Sequence, residues 1–427
     1  MRKFFGPLFL IVLCPPAAML MLYINAEMGG SLLILKRQII LHGIFFVLHQ
    51  AWAPYFWGSP LAWKMLASYA AFQLLLMKAL PGKATLGPIS PKGNIPIYKA
   101  NGLVAFFTTL SVYGLASFGL KLFSPTIIYD NLGALIGALN LFSLPFCLFL
   151  YLKGRYFPSS SDQGTSGNFL FDFYWGTELY PRVFGWDIKM FTNCRVGMMG
   201  WALIAISCAA KQTQLYGLSD SMLVALLLQL YYIGKFFFWE MGYMRSLDIM
   251  HDRAGFYICW GCLVWIGSVY TSPIQYLIHH PNHLGLLTST LIFLLGFTAI
   301  SINLLADRQR QRIRQEAGTC KIWLKPPNIT LAKYTTGMGE EKETLLLASG
   351  WWGIARHFHY VPELLGALFW SLPALFSNFL PYFYFFFLTI LLVDRAFRDD
   401  KRCRKKYGIY WKEHCEKVPY KILPYII

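Results

Sequence analysis

Acidic side chains are scarce in this chain: 21 Asp and Glu stand against 38 Lys and Arg, and charged residues of both signs fill only 14% of 427 positions. A water-soluble domain of this length needs more polar surface than that, so the soluble class is excluded. A GxGxxG run following a strand is also missing, which excludes a Rossmann fold as the means of holding a dinucleotide. Nine cysteines, an odd number, lie scattered at positions 14, 147, 194, 208, 259, 262, 320, 403 and 415, so no disulfide framework exists and a reducing compartment is expected. Cys259 and Cys262 form a CxxC with no second pair, and its apolar flanks read as buried helix rather than a metal site. What is abundant is grease, with 56% hydrophobic and 17% aromatic residues. The chain therefore reads as an all-α integral membrane protein. Its formal charge of +17 gathers in loops and in the tail. Positive-inside topology and anionic lipid explain that placement, and nucleic acid is not an expected partner.

Met1, Arg2 and Lys3 before an apolar run to Ile24 imitate a signal peptide, but the run is too long and reads as a first membrane helix interrupted at Pro15 and Pro16. Further spans are expected at Ile39 to Phe56, Leu61 to Leu80, Leu103 to Phe123, Leu132 to Leu152, Val196 to Ala210, Met222 to Trp239, Phe256 to Tyr270 and Leu284 to Leu305. The Gly, Pro and Ser content of Pro81 to Lys99 and Lys153 to Asn168 marks loops. After Asp307 come Arg308, Arg310, Arg312 and Arg314, which the charge rule puts on the cytoplasmic side. The last apolar run, Leu364 to Val393, would reach roughly 45 Å as one straight helix, overshooting a ~30 Å core. Pro373 and Pro381 break it, so a carboxy-terminal hairpin is expected, returning the basic tail to the side of the basic loop. That makes about ten membrane helices and one cytoplasmic pocket. Residues 1–427 are taken as one polytopic domain, with 1–167 as amino-terminal helices and 168–427 as the ligand-binding half.

The stretch LLLASGWWGIARHFHY at 345 to 360 is the expected working centre. Arg356, His357 and His359 bring charge and donors, Trp351, Trp352 and Tyr360 bring flat faces, and Gly350 and Gly353 admit a bulky ligand. A juxtamembrane aromatic belt would use the same residue types. The tail interleaves Asp399 and Asp400 with Arg395, Arg398, Arg402, Lys406, Tyr407 and Trp411, a set suited to a phosphorylated nucleotide. A lipid-headgroup patch would explain its cations but not its acids and rings. Glu178 and Arg182 in TELYPR are spaced for an i, i+4 contact, though Pro181 favours a turn.

Four motifs carry a family likeness: FDFYWGTELYPR at 171 to 182, HDRAGFYICWGCLVW at 251 to 265, LLLASGWWGIARHFHYVPE at 345 to 363 and LPYFYFFFLTILLVDRAFRDDKRCRKKYGIYWKEHCEKVPY at 380 to 420. In these the chain resembles the membrane sterol reductases that act on ring double bonds, most closely the delta-7 branch of plant type. The resemblance implies an NADPH-dependent oxidoreductase of sterol biosynthesis with a cytoplasm-facing cofactor pocket. Carried over by position, the cofactor contacts are Arg310, Arg314, Leu347, Trp352, His359, Tyr360, Asp399, Cys403, Arg404, Lys405, Lys406 and Tyr407. Three positions depart from the commoner pattern: Arg310 stands for Lys, His359 for Asn and His414 for Tyr. The expected partners are a sterol, membrane lipid and other sterol-pathway enzymes, in the endoplasmic reticulum of a eukaryote or the inner membrane of a bacterium.

An isolated ring alkene has no place for negative charge, so an acid must protonate it before hydride arrives. Glu240, Asp248, His251, Asp252 and His279 border the spans, with Tyr243, Tyr270 and Tyr276 close by, and from these Tyr276 together with Asp399 are the expected catalytic residues. Three alternatives stay open. A sterol delta-14 reductase shares most of the likeness. RHFHY at 356 to 360 meets the minimal Arg-His-x-x-Tyr pattern of membrane methyltransferases that use S-adenosylmethionine. A catalytically silent scaffold, like the lamin B receptor, also resembles this family.

Overall fold

The computed structural model describes residues 2–335 and 339–426, of which most are helical. Eight helices among them are long and apolar enough to cross a membrane, or nine when the pair Leu32–His42 and Ile44–Tyr55, bent by 116°, is one span. Many outward-facing side chains, Phe45, Leu286 and Ile390 among them, are large, apolar and exposed, as a lipid-facing surface requires. The protein is thus multi-pass and all-helical in its spans. By this measure the spans are fewer than ten. Pro60–Ala79 is a 20-residue helix outside that set. The first arm of the carboxy-terminal hairpin, Tyr360–Ser371, has only 12 residues, about 18 Å of helix.

Contacts divide the chain into two units. The first comprises the chain up to Ser90, Asn94–Ser289 and Ser371–Phe383. Serines cap its helices: Ser31 accepts from the Ile34 amide, Ser59 from Ala62 and Ser219 from Met222. The first helix runs unbroken from Arg2 to Glu27 with Pro7, Pro15 and Pro16 inside it, against the expected interruption. Unwinding would strand further backbone groups in an apolar surround, so membrane helices tolerate proline. The spans Met190–Tyr216 and Phe256–Leu277 exceed the expected Val196 to Ala210 and Phe256 to Tyr270, because buried Thr192, Asn193, Arg195 and Gln275 interrupt the hydropathy but not the helix. Each contains a π-helical stretch, Met190–Met198 and Gly261–Tyr270. These two face each other where Gly197 has no side chain: a Cβ there would meet the Cys262 carbonyl at 2.8 Å. Met19, Ile136, Leu150, Met222, Phe256 and Val264 lie in the surrounding core.

The second unit comprises Pro91–Gly93, Thr290–Trp370 and the chain from Tyr384 onward. Leu286–Gln315 supplies its leading helix, whose 30 residues span about 45 Å. That exceeds a ~30 Å hydrocarbon core, so its last turns carry Arg308, Arg310, Arg312 and Arg314 past the apolar layer rather than in a loop. An antiparallel hairpin follows, Ile329–Thr335 against Glu341–Leu347, with Ile329 opposite Leu347. The prolines act as expected: Pro373 and Pro381 each open a short 3-10 turn between Tyr360–Ser371 and Phe383–Tyr407. Trp370 stacks on Tyr384 at 5.9 Å across the break. Gly408, at φ +53°, then turns the chain into Ile409–Lys417.

Candidate active site

Three stretches that the sequence separates by up to a hundred residues meet within the second unit. The Trp352 indole donates to the Ala306 carbonyl at 2.7 Å, and the Trp351 amide to Gln309 at 2.9 Å. These bonds tie the central stretch to the arginine-bearing helix end. Arg310 lies over the Trp352 ring at 4.2 Å, a cation on a flat face. Leu347, at the end of its strand, packs with Trp352, Ile313, Cys320 and Ile322. His359 sits against Trp352 at 4.8 Å and Tyr360 at 4.3 Å, while its carbonyl accepts from Asn303 at 2.8 Å.

From the Phe383–Tyr407 helix, Asp399, Cys403, Lys406 and Tyr407 fall on one face by their i, i+4, i+7, i+8 spacing. Cys403 is buried with Ala332, Leu346 and Trp411. Lys406 lies over Tyr334 at 3.9 Å, and Arg314 is within electrostatic reach of Lys406 and Tyr407. Arg404 and Lys405 lie off this face and are exposed, Arg404 at 3.6 Å from Asp400. Asp399 accepts from Arg402 at 2.6 Å. Its other oxygen stands 3.8 Å from His357 Nε2, a buried nitrogen with no hydrogen-bond partner among the described residues. Burial, helped by Arg310 and Arg356 and opposed by Asp399 and Asp400, pushes this imidazole down to about 4.

One expectation changes here. Arg356, expected to face a ligand, is committed to the protein: it donates to the Val418 and Pro419 carbonyls at 2.6 and 2.9 Å and pairs with Asp400 at 3.4 Å. Asp400 also accepts from Trp411 at 3.2 Å, so this acid belongs to the same internal strut. Glu178 and Arg182 do not pair, in keeping with the turn expected at Pro181. Glu178 binds Lys153 at 2.7 Å and the Ser159 amide at 2.5 Å, and Arg182 donates to the Ile97 carbonyl at 2.5 Å, because the chain turns at Pro181.

Tyr276 belongs to the first unit. Its ring stacks on His280 at 4.1 Å and packs against Gly30, whose φ of +74° and missing side chain admit it; its hydroxyl accepts from Asn378 at 2.9 Å. The same unit holds a buried network of which the sequence singled out Glu240, Asp252 and Tyr243 but not Arg195, Lys189 or Asn193. Arg195 pairs with Glu240, and also donates to Asn101 at 3.0 Å. Glu240 accepts in addition from the Gly102 amide at 3.0 Å. Lys189 donates to the Ile249 and Asp252 carbonyls at 2.8 and 2.6 Å, and Asn193 to Tyr243 at 2.9 Å. A signal was available, since ionisable residues inside apolar runs are expensive unless paired.

The pattern of the ergosterol biosynthesis ERG4/ERG24 family matches residues 9–427. The chain belongs to the ERG4/ERG24 family. It is 53% identical to a 7-dehydrocholesterol reductase of Arabidopsis thaliana over 420 residues, which are 97% of this chain and 95% of that one. Against a 7-dehydrocholesterol reductase of Xenopus laevis the identity is 37%, covering 84% and 79%. A delta(14)-sterol reductase of Methylotuvimicrobium alcaliphilum is 36% identical, covering 87% and 86%. Both named activities are therefore present among relatives of this ERG4/ERG24 chain, and the likeness to the plant protein is much the stronger of the three.

Proposed function

We propose that this chain is an NADPH-dependent reductase of a sterol ring double bond, the C7–C8 bond of a 7-dehydrocholesterol-type substrate. The observation that carries the reading is the 53% identity, over nearly the full length of both chains, to a protein named for that substrate. The second unit suits a phosphorylated dinucleotide. Arg310, Arg314 and Lys406 offer cations beside Trp352, Tyr360 and Tyr407, and the buried His357 Nε2 has no hydrogen-bond partner among the described residues.

In this reading the cations hold phosphate, and Leu347 and Cys403 give the pocket apolar walls that exclude water. Asp399, oriented by Arg402, gives the proton that makes a diene carbon electron-poor, with Tyr276 the other expected acid. Bound there, NADPH supplies the hydride that completes the reduction. His359, Arg404 and Lys405 are the remaining proposed contacts. The basic helix end and tail face the cytoplasm, in the endoplasmic reticulum of a eukaryotic cell or the inner membrane of a bacterial one. Purified protein given NADPH with 7-dehydrocholesterol, and separately with a delta-14 sterol, tests the reading by mass spectrometry. A gain of two hydrogens in the first substrate is expected; a gain only in the second moves the assignment to the delta-14 reaction, and none in either overturns it.

A further inference from the structure

Resting on the reading of this site as a nicotinamide nucleotide pocket, we propose that His357 and Asp399 form a proton-holding pair that fills when the nucleotide binds. His357 acts through Asp399, so it is a positioning residue. The ring is fixed from two sides. Its backbone amide donates to the Lys421 carbonyl at 2.7 Å, and the imidazole lies flat on Tyr360 at 5.3 Å with an 8° interplanar angle. That leaves Nε2 buried, without a hydrogen bond, and aimed at Asp399 Oδ2 from 3.8 Å. The gap is slightly too wide for a hydrogen bond and too narrow for an intervening water.

The groups facing the ring divide by sign and by freedom to change. Arg356 on its own stretch is locked by two carbonyls and Asp400. The His359 ring stands 6.2 Å away. From the Phe383–Tyr407 helix come Asp399, already holding Arg402, and Asp400. From the Leu286–Gln315 helix comes Arg310, whose side chain is 41% exposed, stands 3.9 Å from Asp307 and is stacked on Trp352. Of the cations repelling an imidazolium, Arg310 is the one that an incoming anion can reach. Before binding, burial and these cations keep the ring neutral. A phosphate set against Arg310 offsets that cation and brings further negative charge toward the ring, which acts with Asp399 against the effect of burial and of Arg356. One proton from solvent then comes to rest between Nε2 and Oδ2.

The arrangement has a use in the proposed reaction. The O–H bond of the Asp399 carboxyl breaks as a C–H bond forms on the sterol, leaving a carboxylate, a neutral His357 and a carbon that hydride must fill. Loading the acid only when the hydride donor is present prevents a sterol cation from forming with nothing to quench it.

Isothermal titration calorimetry of the full-length protein with NADPH, in buffers of differing ionisation enthalpy, counts the protons exchanged on binding. The 2'-phosphate titrates near pH 6 and loses protons against arginine, the opposite sense, so the reading is the difference between wild type and His357→Gln. Wild type should take up more, by up to about one proton somewhere between about pH 5 and 8, and its affinity for NADPH should tighten more steeply as pH falls. Equal proton counts in two proteins that both bind NADPH overturn the pair and leave the nucleotide reading standing. No binding to wild type overturns both. Should His357→Gln not fold, the infrared difference spectrum of wild type with isotope-labelled histidine and aspartate decides: an imidazolium band or a protonated-carboxyl band appearing on NADPH addition supports the pair, and the absence of both removes it.

Discussion

Both units bury charge, and they do it in opposite ways. In the first, Arg195 and Glu240 are almost wholly enclosed, and both carboxylate oxygens are occupied, one by Arg195 alone and the other by Arg195 and the Gly102 amide. In the second, Arg310, Arg314, Arg402, Arg404, Lys405 and Lys406 outnumber Asp307, Asp399 and Asp400, the acids beside Arg310, Arg402 and Arg404, and these three arginines stay substantially exposed. An enclosed pair of opposite charges has little to offer a ligand; a reachable set with cations in excess does. The comparison breaks first at Glu240. Glu240→Leu strands a buried guanidinium and should cost about 3–5 kcal/mol, whereas Arg195→Met with Glu240→Leu should recover most of it. Thermal unfolding in detergent measures both. A single variant as stable as wild type would show that the pair is not scaffold.

Acid should separate the units next. Burial, with Arg356 and Lys417, pushes the His414 imidazole down to about 4, and His357 is lowered in the same sense. The unfolded chain therefore binds these protons first. Stability from the neutral rings is complete above about pH 6.5 and is lost as pH falls toward 4, by up to roughly 3 kcal/mol for each ring. Amide exchange in Ile409–Lys417 should quicken over that window, and His414→Tyr should flatten its part of the response. Exchange independent of pH, once intrinsic rates are corrected, would contradict the buried neutral state.

How much of this was legible follows the same division. Apolar runs exposed the spans, and Pro373 and Pro381 exposed the hairpin break, because hydropathy and missing amides are local properties of the chain. The meeting of the arginine-bearing helix, the central stretch and the tail could be argued from charge placement together with the likeness of whole motifs. The role of Arg356 could not, since its partners are carbonyls at Val418 and Pro419, more than sixty residues away and without a side-chain signature. The π-helical stretches and the strand Ile329–Thr335 were equally silent: the first needs two close-packed helices, the second a partner strand across a turn. Pairings that depend on tertiary backbone positions leave no local periodicity to read.

The cation-rich set makes its own claim at Arg310. Arg310→Gln should weaken NADPH binding about 10- to 100-fold, the worth of a charge-assisted phosphate contact, with little change in melting because the side chain is substantially exposed. NADPH titration beside a melting curve reads both. Loss of stability without loss of affinity would return Arg310 to the scaffold.

The smallest effect sharpens the contrast most finely, because Arg312 sits two residues from Arg310 on the same helix with the same charge. Its guanidinium is exposed and already bonded to Glu316 at 2.7 Å, four residues on, an arrangement that contributes little in water. Among the described residues it rests on no aromatic ring, whereas Arg310 rests on Trp352. Arg312→Gln should therefore leave both melting and NADPH affinity unchanged within error, at low as well as physiological salt. If the two glutamine variants weaken NADPH equally, and added salt erases both effects, the basic helix end acts only as a diffuse field, and the specific contact assigned to Arg310 is lost.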